Sequence, residues 1–300
     1  MDSVSSRAFA LLLLAMACLF WAGNWIAGRV LRDVFDPVTL NFLRWAGAAA
    51  VLAPFAWKDV IAARASIRRA APALALLGLT GVALFNTLIY VGLHTTTAIN
   101  GVLLGSSGPL FILLCSWVIE RERATLRQVG GMLVSLAGIL IILSHGDAHN
   151  LMRLDIHPGD GWILLAMLVW GLYSVLLKRR PPELGGTALL FLITLIGISM
   201  LAPFVLWHAL HAPPRWPGPA QWAGVLYLAL FASLGAYICW NRGVAVVGAN
   251  TAGFTLHLVP AFGTAQAMVF LGEAFHGFHA AGIAAILLGV VVATRPPSGR

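Results

Sequence analysis

The chain is a succession of apolar stretches, each of roughly 20 residues and each ended by charged residues or by Gly and Pro. The 11 Asp and Glu residues separate these stretches and do not interrupt them. A hydrocarbon core about 30 Å thick is crossed by about 20 helical residues, so every stretch predicts a transmembrane helix. We expect ten spans, near residues 8–31, 37–57, 71–93, 96–118, 125–143, 159–177, 186–207, 219–240, 249–271 and 277–294.

Composition agrees with a membrane protein. Hydrophobic residues make up 60% of the chain and charged residues 10%, against about 25% charged in an ordinary soluble domain. The net charge of +8 would suggest a nucleic-acid partner in a soluble protein, but here Lys and Arg lie at the ends of the apolar stretches. The expected partners are therefore the lipid bilayer and a small-molecule substrate, with no nucleic acid. The three Cys residues lie apart inside apolar stretches, so they imply neither a disulfide framework nor a thiolate metal site. Glu273, His276 and His279 have a helical spacing that could hold a metal, but interfacial histidines are the ordinary explanation, and we expect no metal and no cofactor.

The basic residues also predict the topology. With the N-terminus in the cytoplasm, most of the 19 Lys and Arg residues fall in cytoplasmic loops; Arg29, Arg32, Arg153 and Arg215 fall on the opposite side, and Arg44 lies inside a span. This positive-inside bias predicts a multi-pass protein of a bacterial inner membrane with both termini in the cytoplasm.

The two halves of the chain are related. A shift of 149 residues places Trp21 on Trp170 and Pro54 on Pro203, and a shift of 151 places Pro109 on Pro260, Glu122 on Glu273 and Gly138 on Gly289. Five spans per half is an odd number, so the second half enters the membrane from the opposite side. The sequence thus predicts an all-α integral membrane protein of ten transmembrane helices in two inverted five-helix repeats, residues 1–145 and 146–300.

The same regions carry a family resemblance. Each half opens on a polar aromatic segment, Trp-Ala-Gly-Asn from Trp21 and Trp-Gly-Leu-Tyr from Trp170. Each later contains a related stretch, GPLFILLCSWVIERER from Gly108 and VPAFGTAQAMVFLGEA from Val259, followed by a helix with regularly spaced glycines. Over nearly its whole length the chain resembles the drug/metabolite transporter superfamily of the EamA type, and within it the bacterial exporters of aromatic and other amino acids. The resemblance implies that spans one to four and six to nine surround the substrate.

Polar side chains inside apolar spans predict the substrate site, because a polar group in lipid must be satisfied within the bundle. Asn86 and Tyr90 share one face of the third span, and their repeat mates are Tyr237 and Asn241. The candidate substrate-binding residues are Trp21, Asn24, Asn86, Tyr90, Asn100, Trp170, Tyr173, Tyr237, Asn241 and His257. Rings would stack on a flat solute, and amide or phenol groups would bond its polar end. The alternative is that the rings are interfacial anchors and the Asn residues bridge helices.

Three other positions have candidate roles in transport. Pro109 and Pro260 each remove a backbone hydrogen bond and are expected to bend their helices as a pair of hinges, or to form static kinks. Arg44 could attract a substrate carboxylate or could bond neighbouring helices, and its repeat mate is Ile193. Because no Asp or Glu lies within the middle of a span, we expect uncoupled transport, with proton coupling through His257 as the alternative.

These observations predict a transporter of amino acids, preferably aromatic or large apolar ones, that works by alternating access, and the family resemblance implies export from the cytoplasm. An exporter of drugs or flat aromatic cations with the same fold is the main alternative. A membrane-embedded enzyme is a weaker one, since the sequence has no His-Glu-x-x-His or Gly-x-Ser-x-Gly pattern. The sequence leaves open whether the protein is a monomer or a homodimer.

Overall fold

The structure is a computed structural model that describes residues 2–96, 98–152, 156–211, 217–271 and 276–295. Arg153, Arg215, Glu273 and Arg300 lie outside these ranges, as does the side chain of Arg29. Within the described residues, nine helical segments are long and apolar enough to cross a membrane. The fold is therefore an all-helical membrane protein, as predicted.

The helices follow the predicted spans, and several extend beyond the apolar stretch into charged residues. Span 1 is Asp2–Leu31, span 2 Pro37–Ala62, span 3 Ala71–Thr95, span 4 Ala98–Gly105 with Gly108–Glu120, span 5 Leu126–Leu143, span 6 Pro158–Leu176, span 7 Gly186–His211, span 8 Pro219–Val247, span 9 Ala249–Thr255 with Leu258–Leu271, and span 10 Gly277–Thr294. Span 9 is the one predicted span that is not among these nine segments of the described residues, and like span 4 it consists of two shorter consecutive helices.

Local sequence signals fix where several helices begin. Asp36 caps span 2 by accepting hydrogen bonds from the backbone N–H groups of Val38 and Thr39, at 3.1 and 3.0 Å. Thr125 and Gln128 form a reciprocal cap at the start of span 5. Each cap satisfies backbone donors that the first turn of a helix leaves without partners.

The two halves pack through reciprocal helix pairs. Span 1 contacts span 8 as span 6 contacts span 3, while span 2 packs on span 7 and span 5 on span 10. Spans 5 and 10 run antiparallel, because Gly131 lies against the carbonyl of Gly289 and Gly138 against that of Gly282. Since these two spans are repeat mates, the halves are inverted, as the odd number of spans per half predicts.

Two segments of wider helix occur at matching places in the halves. Leu79–Leu84 in span 3 and Leu228–Gly235 in span 8 are both π-helical, and a shift of 151 residues places the first within the second. Such segments are uncommon and are often found at functional sites. The sequence offers no signal that predicts them.

The close contact of spans 5 and 10 gives a testable prediction. A Cβ added at Gly131 would lie 2.5 Å from the carbonyl oxygen of Gly289, whereas one added at the adjacent Gly130 would meet no atom within 4 Å. We expect Gly131→Ala to lower the stability by about 1–3 kcal/mol, because overpacking forces the backbones apart. Gly130→Ala is the control and should be neutral or stabilising by up to about 1 kcal/mol.

The measurement is thermal unfolding of the two purified variants in detergent. Equal melting temperatures for Gly131→Ala and Gly130→Ala would contradict the antiparallel glycine contact.

Candidate functional site

A cavity of about 60 Å³ lies between the halves. Aromatic rings of Trp21, Trp25, Phe85 and Trp170 form much of its wall. The remaining lining residues are Asn24, Ile89, Val102, Gly105, Ser106, Met167, Leu256, Val259 and Pro260. Spans 1, 3 and 4 of the first half and spans 6 and 9 of the second half all contribute, and the wall includes three of the predicted substrate-binding residues, Trp21, Asn24 and Trp170.

Aromatic side chains from both halves meet beside this cavity. The ring centre of Trp170 lies 5.0 Å from that of Trp21, 5.5 Å from that of Tyr237 and 5.2 Å from that of Tyr173. The Trp21 and Trp170 rings are nearly perpendicular, at 85°, an arrangement that aromatic pairs favour. Four of the predicted substrate-binding residues therefore form one buried ring cluster.

Asn24 and Tyr90 have Tyr173 and Asn241 as their repeat mates, so Asn and Tyr change places between the halves. In each half the Asn and the Tyr form a hydrogen bond. Tyr90 donates its hydroxyl proton to Asn24 Oδ1 at 3.1 Å, and Tyr173 donates to Asn241 Oδ1 at 2.9 Å. Each bond joins the first and third spans of its own repeat. We call these two bonds the Asn–Tyr pairs.

Arg44 adds a charge to the first Asn–Tyr pair alone. Its guanidinium Nη1 donates to Asn24 Oδ1 and Asn86 Oδ1, both at 2.8 Å, and to the Tyr90 hydroxyl at 2.6 Å. Its Nε donates to the Ser233 hydroxyl of the second half at 2.6 Å. Arg44 is fully buried, and its Nη2 has no hydrogen-bond partner. The interhelical role that the sequence allows is thus present, and it leaves part of the guanidinium free for another acceptor.

Further hydrogen bonds between the halves end on the π-helical segments. Trp21 Nε1 donates to the carbonyl of Ala232 at 3.0 Å, and the Tyr237 hydroxyl donates to the carbonyl of Gly81 at 2.6 Å. Gly81 and Ala232 are repeat mates at a shift of 151 residues. Asn86 Nδ2 also reaches the Tyr237 hydroxyl, at 3.3 Å. Each half therefore places donors on the widened helix of the other.

Seven of the ten predicted substrate-binding residues do not line this cavity, and two of them, Asn100 and His257, bond to polar groups of neighbouring helices. Asn100 donates to Asp160 Oδ2 at 3.1 Å, at the end of the membrane where span 6 begins. His257 bonds through Nδ1 to the Ser135 hydroxyl and through Nε2 to the carbonyl of Ser106, the latter at 3.1 Å. Because a carbonyl only accepts, Nε2 carries the proton in this arrangement. In this conformation both residues hold neighbouring helices together, and their contact with a solute stays a prediction.

The two prolines stand just after helix breaks. Span 4 is interrupted at Ser106 and Ser107, and Pro109 lies in the first turn of the following helix. Span 9 is interrupted at the matching place, and Pro260 lies near the start of Leu258–Leu271. Proline is tolerated in a first turn, where its missing N–H needs no partner. The paired breaks, and not bends within continuous helices, remain the candidate hinges.

Sequence reasoning missed four aromatic residues of this region. Trp45 packs on Tyr237, with ring centres 4.7 Å apart, and Trp240 packs on both Trp21 and Trp170. Phe85 and Trp25 line the cavity directly. The aromatic residues that the sequence predicts all have Trp, Tyr or Asn as repeat mates, whereas the mates of these four are Thr194, Ile89, Ala236 and Ser174. Trp25 is four residues from Trp21 and Trp240 is three residues from Tyr237, and this helical spacing was the signal available for these two.

A duplicated, inverted helical bundle with a ring-lined cavity between its halves defines a membrane transporter. The family model described as the EamA-like transporter family matches residues 8–144 and 157–295. The chain belongs to the EamA-like transporter family, and it is not an enzyme.

Individual relatives agree with this assignment. The chain is 28% identical to an uncharacterized transporter of Archaeoglobus fulgidus, over 94% of this chain and 96% of that protein. It is 26% identical to the uncharacterized transporter YyaM of Bacillus subtilis, over 87% of this chain and 85% of the relative. A probable terminal-alkyne amino-acid exporter of Streptantibioticus cattleyicolor is 27% identical, over 96% and 94%.

A solved crystal structure has the same fold. It superposes with a TM-score of 0.73 and covers 96% of this chain and 97% of its own, at 23% sequence identity. The likeness extends over both repeats and concerns the fold alone.

The repeat mates Trp21 and Trp170 allow a matched test of the interface. Trp21 Nε1 is hydrogen-bonded to Ala232, whereas Trp170 Nε1 is buried without a partner. Trp21→Phe should therefore cost about 1 kcal/mol more stability than Trp170→Phe, the value of one hydrogen bond. Thermal unfolding of the two variants in detergent measures the difference, and a larger loss for Trp170→Phe would show that the bond to Ala232 is unimportant.

Proposed function

We propose that this protein exports amino acids with aromatic or other large apolar side chains from the bacterial cytoplasm, by alternating access between its two halves. The observation that carries the proposal is the cavity wall, to which four aromatic residues and one residue with a side-chain amide, Asn24, contribute. Rings offer stacking surfaces to an aromatic or aliphatic side chain. The amide can donate and accept, which suits a zwitterion.

The amino-acid class is further supported by one of the relatives. The protein of Streptantibioticus cattleyicolor, which aligns with 96% of this chain, is described as a probable terminal-alkyne amino-acid exporter. The outward direction follows from the family resemblance. The placement in the bacterial inner membrane, with both termini in the cytoplasm, follows from the positive-inside bias of the loops.

Movement of the halves is part of the proposal because the cavity is small. Its volume of about 60 Å³ is below the roughly 300 Å³ at the lower end of small-ligand sites. A solute with an aromatic ring therefore requires the halves to separate. The paired helix breaks before Pro109 and Pro260 are the proposed hinges, and Trp21, Asn24 and Trp170 are the first proposed contacts. Asn86, Tyr90, Tyr173, Tyr237 and Asn241 are proposed to come into reach as the halves separate.

The test is counterflow of labelled L-phenylalanine into proteoliposomes that contain unlabelled L-phenylalanine. Val102 lines the cavity, and Leu110 on the same span is 47% exposed on the outside of the bundle. Val102→Trp should lower the initial uptake rate at least tenfold by filling the cavity, while Leu110→Trp should retain the rate of the unmodified protein.

Two results would contradict the proposal. In the first, the unmodified protein moves no amino acid. In the second, Val102→Trp transports as well as Leu110→Trp, so that the solute path lies elsewhere.

A second candidate function is export of flat aromatic cations, favoured by the same rings, because a ring face attracts a positive charge. Robust uptake of an aromatic cation such as ethidium, without uptake of any amino acid, would favour this function.

Transport is expected to be uncoupled from protons. The fully bonded position of His257 supports this, because both ring nitrogens contact protein atoms. The initial rate of L-phenylalanine uptake should therefore differ by less than about twofold between vesicles with and without an imposed pH gradient. Accumulation driven by the gradient and lost in His257→Gln would establish proton coupling through this residue instead.

A further inference from the structure

Arg44 is a buried charge without an opposite charge. Its four hydrogen-bond acceptors, on Asn24, Asn86, Tyr90 and Ser233, are all neutral. The ion pairs within the described residues involve Arg32, Lys178 and His208, not Arg44. A buried guanidinium is costly unless it is paired with an anion. The protein thus keeps a positive charge in its interior that its described residues only partly satisfy.

This charge stands directly behind the cavity wall. Asn24 lines the cavity and accepts from Arg44 Nη1 at 2.8 Å. Ile89 also lines the cavity, and it lies between Asn86 and Tyr90, two further partners of the guanidinium. A single side chain therefore separates Arg44 from the cavity, and a charge in such an interior is screened much less than in water.

We propose that Arg44 selects solutes that carry a carboxylate, and that it pairs with this group when the Asn24 side chain turns aside. The inference rests on the proposed function and narrows its substrate class. The unpartnered Nη2 is the donor available for the carboxylate, and Nη1 is freed as Asn24 moves. A planar guanidinium matches a carboxylate through two parallel hydrogen bonds.

The position of Arg44 also sets the orientation of the solute. The repeat mate of Arg44 is Ile193, so the second half has no equivalent charge at the matching place. The carboxylate end is directed toward Asn24 and the first Asn–Tyr pair, and the side chain of the solute toward Trp21 and Trp170. The same charge repels an aromatic cation, which separates this substrate class from the alternative function.

The test compares three probes that share a phenyl ring. L-Phenylalanine carries a carboxylate and an ammonium group, 3-phenylpropionate only the carboxylate, and phenethylamine only the ammonium group. Each is titrated against labelled L-phenylalanine in counterflow and against the intrinsic Trp fluorescence of the purified full-length protein. For the unmodified protein we expect phenethylamine to bind at least tenfold more weakly than 3-phenylpropionate.

Variants of Arg44 test whether this residue causes the preference for 3-phenylpropionate over phenethylamine. Arg44→Gln should reduce the ratio of the two affinities to within about threefold, whereas Arg44→Lys, which keeps the charge, should retain a clear preference for 3-phenylpropionate. Ser233→Ala is the matched control, because it removes one hydrogen bond of Arg44 and leaves the charge in place. It should keep the preference. If Arg44→Gln does not fold, the three probes on the unmodified protein still decide whether a carboxylate is selected, and Arg44→Lys and Ser233→Ala remain measurable.

The outcomes separate this inference from the proposed function. Equal binding of phenethylamine and 3-phenylpropionate, together with transport of L-phenylalanine, overturns the role of Arg44 and leaves the amino-acid exporter standing. A preference that persists in Arg44→Gln also overturns it. Failure of all three probes to bind overturns both proposals.

Discussion

The interface between the halves is governed by the absence of water from the interior of a bilayer. Each polar group inside the bilayer needs a partner within the bundle. Beside the cavity, Trp21, Arg44, Asn86 and Tyr237 find such partners in the opposite half. Arg44 is the extreme case, since its bonds join span 2 to spans 1 and 3 and to span 8 of the other half. Because removing any one partner leaves less compensation for a buried charge, the relative positions of these four helices are closely determined.

The inverted repeat gives this interface two related sides. The first Asn–Tyr pair lies in the half of the membrane where spans 1 and 3 end, and the second lies where spans 6 and 8 end. Inversion places those ends on opposite faces. In the proposed function, alternating access requires two conformations of similar free energy, and each of the two related contacts would help to close one face. Arg44 has no counterpart in the second half, so it makes the two faces unequal, and a bound anion would change that difference.

Much of the fold could be predicted because it depends on simple physical patterns. The lengths of the apolar stretches predicted the spans. A shift of about 150 residues revealed the duplication, and the repeat mates that it aligns include Trp21 with Trp170 and the residues of the Asn–Tyr pairs. The divisions of spans 4 and 9 and the two π-helical segments were not predicted, because they depend on tertiary contacts and not on periodicity.

The limits of prediction at the site have a similar cause. Trp45, Trp240 and Phe85 were missed because the repeat comparison favours symmetric positions, and their mates are not aromatic. The sequence also did not decide whether Arg44 binds a substrate carboxylate or bonds neighbouring helices. Its hydrogen-bond partners lie on spans 1, 3 and 8, so they can be identified only from the three-dimensional structure.

The ring cluster carries a second kind of incomplete bonding. The indole N–H groups of Trp45, Trp170 and Trp240 are buried without acceptors, and a buried donor without a partner costs about 1–3 kcal/mol. Stability alone would favour Phe at such positions, since its ring packs without a donor. Trp170 lines the cavity, and its N–H group is buried in this conformation, so in the proposed function a solute oxygen reaches this donor when the halves separate. In the proposed function, the rings therefore serve two states: they close the interface when no solute is bound, and they offer stacking surface and a free donor when the halves separate.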